Sequence, residues 1–148
     1  VNPPEVPAPD EITAPWWEAT REHRLLVQTC VRCAGAQHPP RALCVHCGHD
    51  ALGWSGSSGL GVVDSFTVVH RAPRPELEVP YVIARVRLAE GVILLTRLEG
   101  RDPGAWAIDD PVRATWVDLD DGRALPVFVP AGPSPTTEPE PAPEQRGS

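Results

Sequence analysis

Cys30-Val31-Arg32-Cys33, then ten residues, then Cys44-Val45-His46-Cys47 is the stretch that decides the fold of this chain. Two residues between the members of each pair let the backbone turn back as a tight knuckle. A short connection then brings the two knuckles together so that four thiolates can surround one tetrahedral metal. Gly48 follows the second pair directly and Gly35 follows the first by one residue, which offers the backbone freedom such turns use. The spacing predicts a structural zinc on Cys30, Cys33, Cys44 and Cys47, with no open coordination position and hence no chemistry at the metal. Iron in a rubredoxin-like site suits the same sulfurs. Two disulfides are the competing reading and fit poorly, because a secreted scaffold of this length carries more cysteines at looser spacings and no signal peptide is visible. His38, His46 and His49 lie close by in sequence. Four sulfurs already fill the site, so these histidines are expected to be solvated or packed on the knuckles.

Working outward, residues 24–30 read as a strand leading into the first knuckle and 52–55 as a strand leading out of the second, together the stem of a ribbon. Before them, 14–23 read as a short helix with Thr13 or Ala14 as its cap and Pro15 in the first turn. A helix this short is not stable alone in water and must dock, and the adjacent Trp16 and Trp17 are its anchors. Adjacent helical positions diverge by about 100°, so both indoles pack on the domain, or one packs inward while the other faces a partner. After a glycine-rich turn at 56–61, expected to be flexible, come five strand candidates at 62–70, 81–88, 92–98, 112–118 and 124–129. The second alternates, with Tyr81, Ile83, Arg85 and Arg87 on one face and Val82, Ala84, Val86 and Leu88 on the other. A helical turn around Trp106 at 103–109 separates the third and fourth. Five strands with a short helical element in that place match the OB-fold barrel.

The two ends read differently from the middle. Residues 1–12 hold four prolines and three acids, and 131–148 hold five prolines and three glutamates. Such segments bury too little apolar surface to offset their ordering entropy, so both read as disordered linker or tail. The organisation expected is a linker at 1–12, helix and ribbon at 13–60, barrel at 61–130 and an acidic, proline-rich tail at 131–148. The net charge of −7 comes mostly from the ends, and 13–130 carries 14 acids against 12 arginines. No basic footprint for nucleic acid follows from that balance. The chain has no lysine, which excludes Schiff-base and phosphate-loop lysine chemistry. It has no methionine either, and a start at Val-Asn-Pro-Pro suggests a processed product or a piece of a longer fusion. No apolar run approaches the ~20 residues that cross a bilayer, so a cytoplasmic protein is expected.

The order of features resembles the zinc-ribbon/OB-fold family of acyl-CoA-associated proteins, long classed as a domain of unknown function. The resemblance covers nearly all of 13–130. It is carried by the two Cys-x-x-Cys pairs, His38-Pro39-Pro40-Arg41, Gly48, Ser65-Phe66-Thr67-Val68-Val69-His70 and Pro80-Tyr81-Val82. The resemblance implies a non-catalytic domain working beside thiolase-like and hydratase-like enzymes. Some bacterial members are C-terminal domains of MaoC-like enoyl-CoA hydratase subunits in steroid side-chain degradation, where they recruit a thiolase-like aldolase. It implies a hetero-complex with two copies of each chain, with an acyl-CoA substrate at the interface. Trp16, Trp17, Arg71 and Arg74 are the candidate partner contacts, and His70 and Tyr81 the candidates to line a substrate channel. No nucleophile, base and orienter set is apparent. An acyl-CoA-binding module acting alone, with Arg71 and Arg74 on a phosphate, is the alternative function. A single-strand nucleic-acid binder is a third, opposed by few strand aromatics and acidic tails.

Overall fold

The computed structural model describes residues 6–132. Helix α1 (Ala14–Thr20) is followed by a three-stranded ribbon, β1 (Leu26–Cys30), β2 (Ala36–Gln37) and β3 (Leu52–Gly56), in the order β2-β1-β3. Strands β4 (Leu60–Val69), β5 (Tyr81–Leu88), β6 (Ile93–Leu98), β7 (Pro111–Asp118) and β8 (Ala124–Pro130) close a barrel in the order β4-β5-β6-β8-β7. A 3-10 turn, Pro103–Ala105, lies between β6 and β7. The chain is mainly β, with the helix, ribbon and five-stranded barrel that the sequence predicts.

Alternation decides the barrel. Along β5, Val82, Ala84, Val86 and Leu88 are buried while Arg85 and Arg87 face out, and Val63, Leu94, Leu98, Val112 and Phe128 fill the same interior. All the barrel pairings are antiparallel except β6 with β8, which is parallel and registers only Leu98 with Phe128.

The helix ends three residues before the expected position. His23 takes φ 53°, a left-handed conformation that stops the α1 backbone and sends the chain into β1. Its ring stacks on Trp116 (5.4 Å between centroids, planes 5° apart) and bonds Asp118 at 2.6 Å. The glycine-rich turn is also tighter than expected. Gly56 belongs to β3 and β4 starts at Leu60, and the Glu90 carboxylate accepts from the Ser57 hydroxyl (2.9 Å) and the Ser58 amide (2.8 Å). Burial works to raise the Glu90 pKa, but these hydrogen bonds outweigh it and hold the group below its ordinary value.

Helix α1 sits where ribbon and barrel meet. Thr20, fully buried, donates to the Trp17 carbonyl (2.7 Å) and accepts from the Ala124 amide (3.2 Å). Trp16, Trp17, Leu25 and Val27 share one apolar cluster with Val63, Val82 and Phe128, so ribbon and barrel are built around a common core. Of the segment read as a linker, residues 6–12 are described. Val6 packs against this cluster, and the Pro7 carbonyl accepts from Arg123 at 2.7 Å. The tail from 133 onward and residues 1–5 lie outside the described residues. Among the described residues, no helix is long and apolar enough to cross a membrane.

Candidate metal centre and surrounding surfaces

The two knuckles have the same backbone plan. Cys30 N–H donates to the Gly35 carbonyl and Ala34 N–H to the Cys30 carbonyl; Cys44 N–H donates to the His49 carbonyl and Gly48 N–H to the Cys44 carbonyl. The left-handed residue falls four positions after the first cysteine in each, at Ala34 (φ 58°) and Gly48 (φ 74°). Gly35 therefore serves a purpose other than the one its position suggests. A Cβ there would lie 2.4 Å from His46 Cδ2 and 3.2 Å from Cys33 Sγ, so glycine is needed for space.

The knuckles bring all four sulfurs within 4.8 Å of one another. Cys30 and Cys47 are 3.7 Å apart and Cys33 and Cys44 3.6 Å. A tetrahedron with metal–sulfur bonds of ~2.3 Å has edges of ~3.8 Å, so the donor set fits a four-thiolate metal and is far too wide for disulfides. The four cysteines are free thiols. Cys30 and Cys44 are buried, and Cys33 and Cys47 face solvent. Gly35 N–H and His46 N–H each point at a sulfur, Cys33 and Cys44, at 3.4 Å. The four thiols form a closed site that would hold one metal as a structural brace. No histidine joins it. His46 donates through Nε2 to the Ala36 carbonyl (2.9 Å), and His49 Nδ1 accepts from the Ala51 amide (3.0 Å). His38 lies against Trp16, and burial pushes its pKa down to about 4.

Two residues that the sequence did not single out hold the loop between the knuckles. Gln28 (5% exposed) and Gln37 (4%) are buried side by side. Gln37 donates to Gln28 Oε1 (2.6 Å) and the Leu43 carbonyl (3.2 Å) and accepts from Val45 N–H (2.8 Å). Gln28 spans to both the carbonyl and amide of Arg41. Arg123 is the third, buried over the Trp17 ring at 4.6 Å and paired with Asp121 at 2.7 Å.

The other candidate residues fall into two places. Trp16 and Trp17 are both 8% exposed and meet edge to face at 4.8 Å, both indoles belonging to this chain's own core cluster while Pro15 and Glu18 face solvent. Trp16 Nε1–H has no acceptor among the described residues. His70, Arg71 and Arg74 are exposed in the connection between β4 and β5, and Tyr81 starts β5, half-buried under Arg97 at 5.1 Å. Register joins the two ends of that connection, since Val69 pairs with Tyr81. The imidazoles paired with carboxylates are His23 with Asp118 and His49 with Asp50. Among the described residues no Ser, Thr or Cys side chain hydrogen-bonds either one, so no nucleophile is assembled there.

A rubredoxin-like ribbon with a closed four-cysteine site, fused through a shared core to an OB barrel, defines a class of small metal-braced β domains. The chain belongs to the ChsH2 family within that class. Residues 17–53 match its rubredoxin-like zinc ribbon domain and 54–117 its C-terminal OB-fold domain. A solved chain described as an Ltp2-ChsH2(DUF35) aldolase is 40% identical, with a TM-score of 0.79 over 86% of this chain and 100% of that one. Among curated relatives, a probable enoyl-CoA hydratase alpha subunit of Thermomonospora curvata is 41% identical over 127 residues. The 3-oxo-4,17-pregnadiene-20-carboxyl-CoA hydratase alpha subunit of Mycobacterium tuberculosis is 40% identical over 116. The chain covers 40% and 37% of those two proteins and is 86% and 78% covered by the matches. A DUF35 domain-containing scaffold protein of Methanothermobacter thermautotrophicus is 29% identical over 69% of this chain and 78% of its own length. A Sulfolobus solfataricus DUF35 structure, 17% identical with a TM-score of 0.60, shares the fold.

Proposed function

We propose that this chain is a non-catalytic partner domain that binds and supports a thiolase-like retro-aldolase acting on a hydroxyacyl-CoA in steroid side-chain degradation. The observation that carries the reading is the likeness, over 86% of this chain and 100% of the other, to a chain of the Ltp2-ChsH2(DUF35) aldolase. The site chemistry agrees with it. Four thiolates around one zinc leave no position for substrate, so the metal on Cys30, Cys33, Cys44 and Cys47 contributes folding energy and no catalysis. The aldolase carries the reacting groups, in an assembly with two copies of each chain, and the acyl-CoA lies at or near the interface. His70, which follows the Val69–Tyr81 pair that ends the β4–β5 ladder, and Tyr81 itself are the residues of this chain proposed to border a channel there.

Co-expression with a thiolase-like aldolase and retro-aldol assays with and without this chain test the proposal. A stable complex of two plus two chains is expected, with an aldolase that loses activity or solubility alone. An aldolase equally active and soluble by itself, or cleavage by this chain unaided, would overturn it.

A further inference from the structure

The outward face of β5 and β6 has the composition of an interface, and among the described residues its centre at Leu95 is left open. Leu95 stands 72% exposed in the middle of β6, directly across from Arg85, with Ile93 across from Arg87 and Ile83 across from Arg97. A Leu at that exposure in a sheet flanked by half-buried isoleucines is an apolar centre without a lid. Its charges are unlike those of the rest of the chain. The net charge is −7, yet β5 and β6 direct three arginines outward, and on the neighbouring strand Asp64 pairs with two of them, Arg85 and Arg87. Glu99 lies just past the end of β6. The third, Arg97, is held over the Tyr81 ring, which fixes a long side chain in place before any partner arrives. The ribbon contributes as well. His38 and Pro39 face Arg85, Ile93 and Leu95 across a groove of roughly 500 Å³, so the surface spans both halves of the molecule.

We propose that this face is where the partner aldolase docks, and that the aldolase presents there an apolar side chain rimmed by carboxylates. The inference rests on the partner reading above. An aliphatic centre with arginines around it suits a protein with complementary charge. A nucleic acid would want bare aromatic platforms, and the ring on this face, Tyr81, is already covered by Arg97.

The test uses the full chain carrying its metal and the aldolase, with Leu95→Asp and Arg97→Glu measured against Val31→Asp, a 75% exposed residue at the knuckle tip. All three variants should melt like the parent, because none of the three side chains is buried. Leu95→Asp and Arg97→Glu should each weaken aldolase binding at least tenfold, with a steeper fall in parent affinity as salt rises, while Val31→Asp binds normally. If Leu95→Asp binds the aldolase as tightly as the parent, the face is wrongly assigned although the partner reading stands. Loss of self-association or of oligonucleotide binding in its place, with aldolase affinity unchanged, overturns the assignment too. A parent chain that binds no aldolase removes the partner reading and this inference together.

Discussion

Gly35 and Gly48 occupy neighbouring places in sequence logic but meet different physical demands. Gly48 has φ 74° and open space around its Cα, so Gly48→Ala should cost only the backbone preference, about 1 kcal/mol. Ala34 already tolerates the equivalent conformation. Gly35→Ala instead drives a methyl into the His46 ring and against a metal-binding sulfur. It should release zinc to a competing chelator on the order of tenfold more readily, and Gly48→Ala should not. His38 sets a different expectation. Burial lowers its folded pKa from 6.5 to about 4, so the unfolded chain takes up a proton first as pH falls. Its contribution is full above pH 6.5, falls away between 6.5 and 4, and amounts to ~3 kcal/mol at most. Denaturant melts of parent and His38→Asn across that window should converge as pH drops. Parallel curves would show that the imidazole titrates freely. Cysteine spacing made the convergence of the four sulfurs legible from sequence alone. Arg123 was not, because its acceptor at Pro7 and its ring partner Trp17 are more than a hundred positions away.

At the level of elements, alternation was a sufficient guide where one face is buried and the other wet, as along β5. It failed where tertiary contacts set the boundary. His23 stops α1 in a left-handed conformation, stacked on Trp116, and nothing in the local sequence announces that stop. The two-residue strand β2 was missed because its existence depends on pairing with β1 through Gln28 and Gln37. That pair braces the inter-knuckle loop, which predicts a specific weakness. Gln37→Leu keeps the volume but strips partners from Val45 N–H, the Leu43 carbonyl and Gln28 Oε1. It should cost roughly 2 kcal/mol. The amides of residues 41–45 should exchange faster than those of the barrel, and uniform exchange would rule out a loop-bracing role.

The whole molecule behaves as one body with two architectures. A ribbon and a barrel were legible as separate units; their common core was not, because it is assembled from residues of α1, β1 and the barrel strands together. Stripping the metal should therefore reach the barrel. Chelation is expected to melt the ribbon and also to lower the temperature at which the barrel unfolds, because Leu25 and Val27 no longer cover its end. A barrel transition unmoved by chelation would mean that the two halves are energetically independent.

The parallel seam between β6 and β8 has a consequence for solubility. A closed barrel exposes no strand edges, and here closure rests on Leu98 with Phe128, the Glu99 amide on the Phe128 carbonyl (2.8 Å) and the Thr96 hydroxyl on the Pro126 carbonyl (2.9 Å). Unzipping that line would bare two unpaired edges rich in Val, Leu and Phe, the kind of template on which chains stack into aggregates. Thr96→Val removes the side-chain latch while keeping the shape. Light scattering during slow heating should then rise several degrees earlier than in the parent, ahead of any loss of metal.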